Sequence, residues 1–461
     1  MKLTFVGGAS TVTGSCFYIE VNSMKILVEC GMHQGRGSEE VNLKPFPFDP
    51  RTIDCIFLTH AHIDHSGMLP RAVKEGFRGK VFTTPATRDL LEPMLLDSAN
   101  IQESDAEWLT KSNLRAGKPP VEPLYTTSDV ESLFPLFDLK PYDKIFHLGD
   151  GVRYRFLDAG HILGSASLEF WYQDSAKEKK IVFSGDIGKI DNPIIRDPER
   201  PPGEAAHIVI ESTYGNRQHK PMKETIDEFV AAVKDTFRRG GNVYIPSFAV
   251  GRTQDLIYIL NNLVREGRLY KIDVYLDSPL AEKATKVYVK HPELYDDEAR
   301  RLFTTKQIGS SIRLHFVHTV EESMKLNRLK SGNIIIAGSG MCEGGRIRHH
   351  LKHNLWRAEC GVVFVGYQAD GTLGRRIVDG ARSVNILGVE VAVRAAIHTI
   401  NGFSAHAGQT GLLNWLSNFT DSPEVFVVHG EKSSATTFME RIQERYGFRT
   451  RRPADGETVE I

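Results

Sequence analysis

Apolar and polar residues alternate in short runs through the first part of the chain. Within residues 2–29, runs of this kind are separated by glycines and predict the opening strands of an antiparallel sheet. An apolar run over 53–58, rich in β-branched and aromatic residues, predicts a buried strand. A largely helical stretch is expected from 86 to about 116. The pattern is that of a mixed α/β domain.

Three later strands share one feature, because each ends on a polar residue with glycine or small residues beside it. They are predicted within 154–161, 180–186 and 207–215. The polar residues at these ends are His161, Asp186 and Glu211. Loops at strand ends are where a rigid sheet holds reactive groups, so a shared site is expected there.

From about residue 221 the pattern changes to strict alternation of helices with near-continuous apolar strands, as far as 366. This alternation predicts a doubly wound parallel sheet, inserted as a second domain into the first. Residues 389–399 read as a strand that leads to His406, and 423–428 as one that leads to His429. The predicted domains are 1–210, 211–390 and 391–461, with the last returning to the first.

The densest chemistry follows the strand over 53–58, where four potential metal ligands occur within six residues. They are His60, His62, Asp64 and His65. The first two are two residues apart, so on extended backbone they project to one side. Imidazole together with carboxylate suits Zn²⁺, with Mn²⁺ as a looser fit. A polar loop of solvated histidines is the alternative, and the position at a strand end argues against it.

Composition narrows the classes of protein further. Hydrophobic residues make up 41% and charged residues 25%, as in globular proteins, and the net charge of −1 recruits neither nucleic acid nor membrane. Polyanion binding must therefore come from local clusters. Five cysteines without C-x-x-C spacing argue against a disulfide framework and predict a cytoplasmic location. We expect no signal peptide and no membrane span.

The H-x-H-x-D-H pattern and the later strand ends resemble the β-CASP branch of the metallo-β-lactamase superfamily. The chain is similar to the nuclease subunit of the cleavage and polyadenylation specificity factor and to its compact prokaryotic relatives. The resemblance implies an α/β fold, an αββα metallo-β-lactamase sandwich interrupted by a doubly wound parallel-sheet β-CASP domain. That organisation agrees with the inserted βα alternation read from the residues.

The resemblance also implies two zinc sites. One zinc is assigned to His60, His62 and His161, and the other to Asp64, His65 and His429, with Asp186 bridging them. One position departs from the family, which usually carries aspartate where this chain has Glu29. This residue is expected to orient ligand histidines, and changes of that kind commonly cost about 10- to 100-fold in metal affinity or activity. Whether Glu29 tunes or impairs the site stays open.

By the same resemblance, a hydroxide between two metals attacks the phosphate and leaves 5′-phosphate and 3′-hydroxyl ends. His406 is the expected general acid on the departing 3′-oxygen, and Glu211 orients it. Asp64 and Asp186 join the catalytic set as ligands. For His406 the alternative is a structural histidine, and His398 on the preceding strand is a weaker rival.

Two strand-to-helix turns are candidate phosphate-binding segments, because small residues there let N–H groups approach an anion. The candidate substrate contacts are Ser247, Phe248, Arg252, Ser339, Gly340 and Arg346. Glycines in such turns are more often structural, and Phe248 fits core packing as well as base stacking.

The function expected from all of this is a zinc-dependent ribonuclease that cleaves single-stranded RNA endonucleolytically. Within the same family, a 5′-3′ exoribonuclease and a DNA nuclease are the alternatives. From other classes, a small-molecule thioester or lactone hydrolase and a non-catalytic RNA-processing scaffold stay open, as does a homodimer.

Overall fold

The chain folds into two compact units of strands and helices. The computed structural model describes residues 1–35, 37–174, 177–305, 311–369 and 371–461. Unit 1 comprises Met1–Ile190, Asp197–Gln218 and His406–Ile461, and unit 2 comprises Asp191–Arg196 and His219–Ala405. Apart from the short segment Asp191–Arg196, the chain passes from unit 1 into unit 2 at 218/219 and returns at 405/406. The predicted boundaries were 210/211 and 390/391.

The described residues form 22 strands. They are β1 (Lys2–Gly7), β2 (Cys16–Val21), β3 (Met24–Val28), β4 (Cys55–Phe57), β5 (Lys80–Thr83), β6 (Phe137–Leu139), β7 (Phe146–Gly149), β8 (Val152–Asp158), β9 (Ala166–Asp174), β10 (Lys177–Phe183), β11 (His207–Glu211), β12 (Val243–Pro246), β13 (Asp273–Asp277), β14 (Arg313–Phe316), β15 (Asn333–Ala337), β16 (Gly361–Phe364), β17 (Ser383–Ile386), β18 (Val389–Ala392), β19 (Ala396–Thr399), β20 (Glu424–Val428), β21 (Arg449–Arg451) and β22 (Glu457–Glu460).

The helices of the same residues follow. They are α1 (Ser38–Leu43), α2 (Ile63–Ser66), α3 (Leu69–Lys74), α4 (Pro85–Arg115), α5 (Thr127–Leu133), α6 (Met222–Arg238), α7 (Arg252–Arg265), α8 (Pro279–Lys290), α9 (Asp297–Thr304), α10 (Val320–Leu326), α11 (Ile347–Asn354), α12 (Leu373–Val378), α13 (Gln409–Leu416) and α14 (Lys432–Tyr446). Short 3₁₀ turns occur at Pro50–Thr52, Phe134–Leu136, Pro292–Leu294 and Asn401–Phe403. None of these helices has the length and apolarity needed to cross a membrane.

Unit 1 is a sandwich of two seven-stranded sheets. The first has the order β22-β1-β2-β3-β4-β5-β6 and the second the order β21-β20-β11-β10-β9-β8-β7. Aromatic side chains from the inner faces meet in one core, where the ring of Phe57 lies 6.0 Å from that of Phe170 and 4.7 Å from that of Tyr154. Helices α13 and α14 cover the outer face of the second sheet through a further apolar cluster. Each strand of the sandwich buries one of its two faces. Apolar residues therefore recur at every second position in the sequence.

The strand order of the second sheet brings the polar strand ends together. Strand β11 lies between β10 and β20 and runs parallel to both. Asp186, Glu211 and His429 therefore emerge at one edge of the sheet, although they lie far apart in the sequence. Parallel neighbours end at the same edge, so this order builds the site.

Unit 2 has a six-stranded sheet with the order β14-β13-β15-β12-β16-β19, and every pairing in it is parallel. Apolar clusters cover both faces of this sheet. Burial on two faces accounts for the near-continuous apolar strands in the sequence. The structure confirms the predicted α/β class, with a doubly wound parallel sheet inserted into a sandwich.

The prediction of one strand over 389–399 is wrong. Strand β18 pairs with β17 in a separate hairpin, whereas β19 joins the edge of the unit 2 sheet beside β16. The hairpin turns at Leu387 and Gly388, whose φ angles are 52° and 77°. A two-residue turn with two positive φ angles usually carries Asn-Gly or Asp-Gly, and leucine at the first position concealed this turn from the sequence pattern.

Candidate metal centre

The histidine motif occupies a short, tightly bonded segment between β4 and α3. His60 and His62 lie on non-helical backbone after β4, and α2 then carries Asp64 and His65 in a single turn. Backbone bonds fix this turn from outside, with Cys30 N–H donating to His65 O at 2.8 Å and Met32 N–H donating to Ile63 O at 3.0 Å. The four side chains are thereby held on one rigid segment.

Four potential donor atoms meet in the first candidate ligand group, which comprises His60, His62, His161 and Asp186. The Nδ1 atom of His62 lies 3.1 Å from His60 Nε2 and 3.2 Å from His161 Nε2. The Asp186 Oδ2 atom lies 3.5 Å from His60 Nε2 and 3.4 Å from His161 Nε2. Two ligands of one tetrahedral zinc, each about 2.0–2.1 Å from the ion, lie roughly 3.3–3.4 Å apart. The spacing of these donors fits that geometry.

A second group shares the other oxygen of Asp186. The Asp186 Oδ1 atom lies 3.4 Å from His65 Nε2 and 3.5 Å from His429 Nε2. Asp64 Oδ2 lies 3.9 Å from His429 Nε2. One carboxylate thus faces each group with a different oxygen.

Unsatisfied polar atoms provide a separate test of whether these residues suit a metal. The His65 Nε2 and Asp186 Oδ1 atoms are both fully buried and have no hydrogen-bond partner among the described residues. Buried polar atoms are nearly always bonded in native proteins, so such atoms need a ligand. Together with the donor chemistry, they fit divalent cations.

Burial and the surrounding charges set the protonation of the ligands. Burial lowers the pKa of His60 and of His161 well below the usual value and lowers that of His62 to about 4, so these rings are neutral and have lone pairs to donate. Burial opposes ionisation of Asp186, but the histidines around it, His429 first, hold its pKa well below the usual value. Its carboxylate is therefore charged.

His65 shows the opposite balance. Burial lowers its pKa, but Asp186 and Glu29 on either side raise it more, and the net pKa lies well above the usual value. Metal binding at this ring must therefore displace a proton.

Glu29 lies directly behind the ligands. Its Oε1 accepts the Thr59 N–H at 3.0 Å, and its Oε2 lies 3.3 Å from His65 Nδ1. The longer side chain therefore reaches the histidine from the position directly after β3. Glu29 has a φ of 66°, which is unusual for a residue with a long side chain.

His406 and Glu211 form a pair beside the first ligand group. His406 Nδ1 lies 3.1 and 3.2 Å from the two Glu211 oxygens. The His406 ring also lies 4.5 Å from that of His161, and its side chain is 20% exposed. Burial lowers its pKa, but Glu211 and then Asp186 raise it to about 9. The ring is thus a cation with access to solvent.

Two residues that contact ligands were missed by the sequence reasoning. The hydroxyl of Thr59 lies 3.0 Å from His60 Nδ1, and the hydroxyl of Ser15 lies 2.9 Å from His429 Nδ1. Thr59 directly precedes the motif, and that adjacency was the available signal. Ser15 is separated from its partner by 414 positions, and no local pattern records the contact.

The six predicted substrate contacts lie in unit 2, at the carboxyl ends of β12 and β15, which are parallel neighbours. Phe248 is 43% exposed, and a Cβ atom at Gly340 would lie only 2.7 Å from its ring. Ser247 is buried, and its hydroxyl accepts a hydrogen bond from Thr253 at 3.0 Å. The Ser339 hydroxyl accepts the Gly344 N–H at 3.2 Å, within its own turn.

Both arginines in the set are engaged by carboxylates. Arg252 is 7% exposed and its Nη1 lies 3.0 Å from Asp255. Arg346 Nη1 lies 2.6 Å from Asp277, whose carboxylate is fully buried and also accepts from His350 Nε2 at 2.6 Å. These cations stabilise unit 2, and Phe248 is the exposed side chain among the six that has a large flat face.

A buried donor set at the strand ends of a two-sheet sandwich is the arrangement of a metal-dependent hydrolase. Three family profiles match the chain. The metallo-β-lactamase superfamily matches residues 10–218, the β-CASP domain matches 253–377, and the Zn-dependent metallo-hydrolase RNA specificity domain matches 390–453.

Two relatives match all or nearly all of this chain. Ribonuclease TTHA0252 of Thermus thermophilus is 38% identical over 94% of this chain and 94% of its own. The transcription termination factor FttA of Methanosarcina mazei is 30% identical over 100% of this chain and 72% of its own. This chain belongs to the β-CASP family of the metallo-β-lactamase superfamily.

The fold recurs in a solved structure with little sequence similarity. A protein of unknown function from Enterococcus faecalis V583 superimposes with a TM-score of 0.58 at 11% identity, over 99% of both chains. That likeness concerns the fold alone.

Proposed function

We propose that this protein is a zinc-dependent ribonuclease that cleaves single-stranded RNA internally and leaves 5′-phosphate and 3′-hydroxyl ends. One observation carries the proposal, namely that the His406–Glu211 pair lies directly beside the converging donors of the first ligand group. The similarity to a relative named ribonuclease, and the match to an RNA specificity domain, support RNA as the substrate.

The proposed site holds two zinc ions, with Mn²⁺ as the looser fit. His60, His62 and His161 would hold one ion, and Asp64, His65 and His429 would hold the other; Asp186 faces each set with a different oxygen and would assist both. Bound there, the cations would lower the pKa of water and neutralise charge on the phosphate oxygens.

His406 acts as the general acid in this proposal. Cleavage breaks the bond between phosphorus and the 3′-oxygen, and that oxygen needs a proton as it departs. The His406 ring is partly exposed, and the contact between its Nδ1 and Glu211 orients the ring for delivery of the proton. Glu211 is buried and keeps the ring charged and oriented.

In unit 2 we propose that Phe248 stacks on a base of the substrate, because its ring is large, flat and 43% exposed. Ser247, Ser339 and Gly340 shape the turns beside it. Arg252 and Arg346 support those turns through their ion pairs with Asp255 and Asp277. The affinity of these turns for RNA is expected to fall as the salt concentration rises.

The test is product mapping on labelled RNA. Zinc-loaded protein is incubated with single-stranded RNA labelled at the 5′ or the 3′ end, and with DNA of the same sequence. Internal fragments ending in 5′-phosphate support the proposal, whereas mononucleotides released from one end indicate an exonuclease. Cleavage of DNA alone, or hydrolysis of thioesters or lactones without RNA cleavage, would overturn it.

His406→Asn is the matched variant for the acid. It keeps a side chain of similar shape at the same position but has no proton of suitable pKa to deliver. We expect turnover to fall by about 10²- to 10⁴-fold with zinc content unchanged. Full turnover in this variant would exclude His406 as the acid, and a parallel loss of zinc would indicate a structural role.

A further inference from the structure

We propose that Ser15, in the loop between β1 and β2, is a positioning residue that fixes the tautomer and orientation of the metal ligand His429. The inference rests on the proposed two-metal function and adds a residue that acts through one of its ligands. It also predicts which ion depends on that residue.

The contact itself is short and buried. Ser15 Oγ lies 2.9 Å from His429 Nδ1, and the two residues are 1% and 3% exposed. In a neutral imidazole one ring nitrogen carries the proton and the other a lone pair. If the Ser15 oxygen accepts from Nδ1–H, the lone pair lies on Nε2, which is the atom that faces Asp186 at 3.5 Å. With the Ser15 oxygen as the acceptor, the contact stabilises the tautomer that can bind the ion.

The backbone of Ser15 connects the same group of ligands. Its N–H donates to the Asp64 carbonyl at 2.9 Å, and its carbonyl accepts the Gly31 N–H at 2.9 Å. In the same loop, the Gly8 carbonyl accepts the His429 N–H at 2.7 Å. One loop thus holds both Asp64 and His429, from two distant parts of the chain.

His429 needs such support because of its backbone. Its φ angle is 46°, in the left-handed region that residues with a Cβ seldom adopt. The loop approaches closely enough to hold it only because residue 8 is glycine. Gly8 has a φ of 74°, and a Cβ there would lie 2.8 Å from Ser15 Oγ.

The first ligand group contains a matching contact. Thr59 Oγ1 lies 3.0 Å from His60 Nδ1, and His60 Nε2 faces Asp186 Oδ2. Each hydroxyl therefore supports a histidine of a different group. Removing one hydroxyl should weaken the binding of one ion and leave the binding of the other unchanged. A general loss of stability would weaken the binding of both ions.

The experiment is a zinc titration of the metal-free chain in competition with a chromophoric chelator. The wild-type chain is compared with Ser15→Ala, Thr59→Val and Ser10→Ala, and His429→Ala identifies the zinc equivalent that depends on this histidine. We expect Ser15→Ala to bind that equivalent about 10- to 100-fold more weakly and the other one unchanged. Thr59→Val should show the reverse, and Ser10→Ala, a control in the same loop, should bind both normally.

The results separate the inference from the function on which it rests. A wild-type chain that binds fewer than two zinc ions overturns the two-metal proposal. A wild-type chain with two ions and a Ser15→Ala variant with the same two affinities overturns the role of Ser15 alone. If the variant does not fold, nitrogen NMR of the metal-free wild-type chain, in which no ion imposes the tautomer, decides instead. A proton on His429 Nδ1 supports the inference, and a proton on Nε2 refutes it.

Discussion

Replacing Glu29 with glutamine tests how the ligand His65 is held. Glutamine has the same shape, so its oxygen can still accept the Thr59 N–H, which lies 3.0 Å from Glu29 Oε1. At the other position an amide N–H₂ group replaces the Oε2 atom that now lies 3.3 Å from His65 Nδ1. Two donors then face each other, and the proton of His65 is driven towards Nε2, the atom that should bind the ion.

The magnitude follows from the type of bond that is lost. Hydrogen bonds to a charged partner contribute about 1.5–3 kcal/mol, which corresponds to roughly 10- to 100-fold in binding. Because Glu29 is 1% exposed, water cannot take the place of the carboxylate. We therefore expect Glu29→Gln to weaken the binding of the ion at His65 by roughly 10- to 100-fold. Glu29→Asp shortens the side chain by roughly 1.5 Å, the length of one bond, and should lose one of the two contacts, with an effect in the same direction.

The assay is zinc affinity by chelator competition, together with thermal unfolding of the metal-free and zinc-loaded forms. In the wild-type chain, zinc should raise the melting temperature, and chelation should reverse the rise. Glu29→Gln should show a smaller rise at equal zinc concentration. If this variant binds both ions as tightly as the wild-type chain, the view that Glu29 orients His65 is incorrect.

Three further predictions concern other parts of the chain. Asp277→Asn removes the carboxylate that Arg346 and His350 share. Arg346 is 21% exposed and keeps two backbone carbonyl acceptors, so we expect a loss of about 1–3 kcal/mol in urea unfolding, the contribution of a hydrogen bond to a charged group. An unchanged midpoint would contradict this. Phe248→Ala should raise the KM for RNA by the equivalent of about 1–3 kcal/mol with zinc content unchanged. The control is Tyr270→Ala, which removes another exposed aromatic ring of unit 2 (92% exposed) and should leave the KM unchanged. Equal effects of the two substitutions would exclude stacking. Burial lowers the pKa of His207 from 6.5 to about 4. Between pH 6.5 and 4 the unfolded chain therefore binds more protons than the folded chain, so the free energy of unfolding should fall as the pH drops through this range. His207→Gln should reduce that fall, as measured by melting temperature against pH, and an identical profile would refute it.

Local patterns predicted much of the scaffold and of the ligand motif. Period-two alternation, continuous apolar runs and βα alternation each reflect the burial of a strand on one or two faces, which is why they predicted the sandwich and the parallel sheet. His60 to His65 form one contiguous motif, so the position of one ligand specified the others. The hairpin at Leu387 escaped because its turn lacks the usual residues.

Contacts between distant residues were decided by the tertiary structure. The contact of the Ser15 hydroxyl with His429, the reach of Glu29 to His65, and the ion pair of Arg346 with Asp277 all depend on how strands are ordered and how side chains turn. Hydrophobic periodicity records only which face of an element is buried. It carries no information on which buried polar groups meet across the core, because that depends on the packing of elements far apart in the chain.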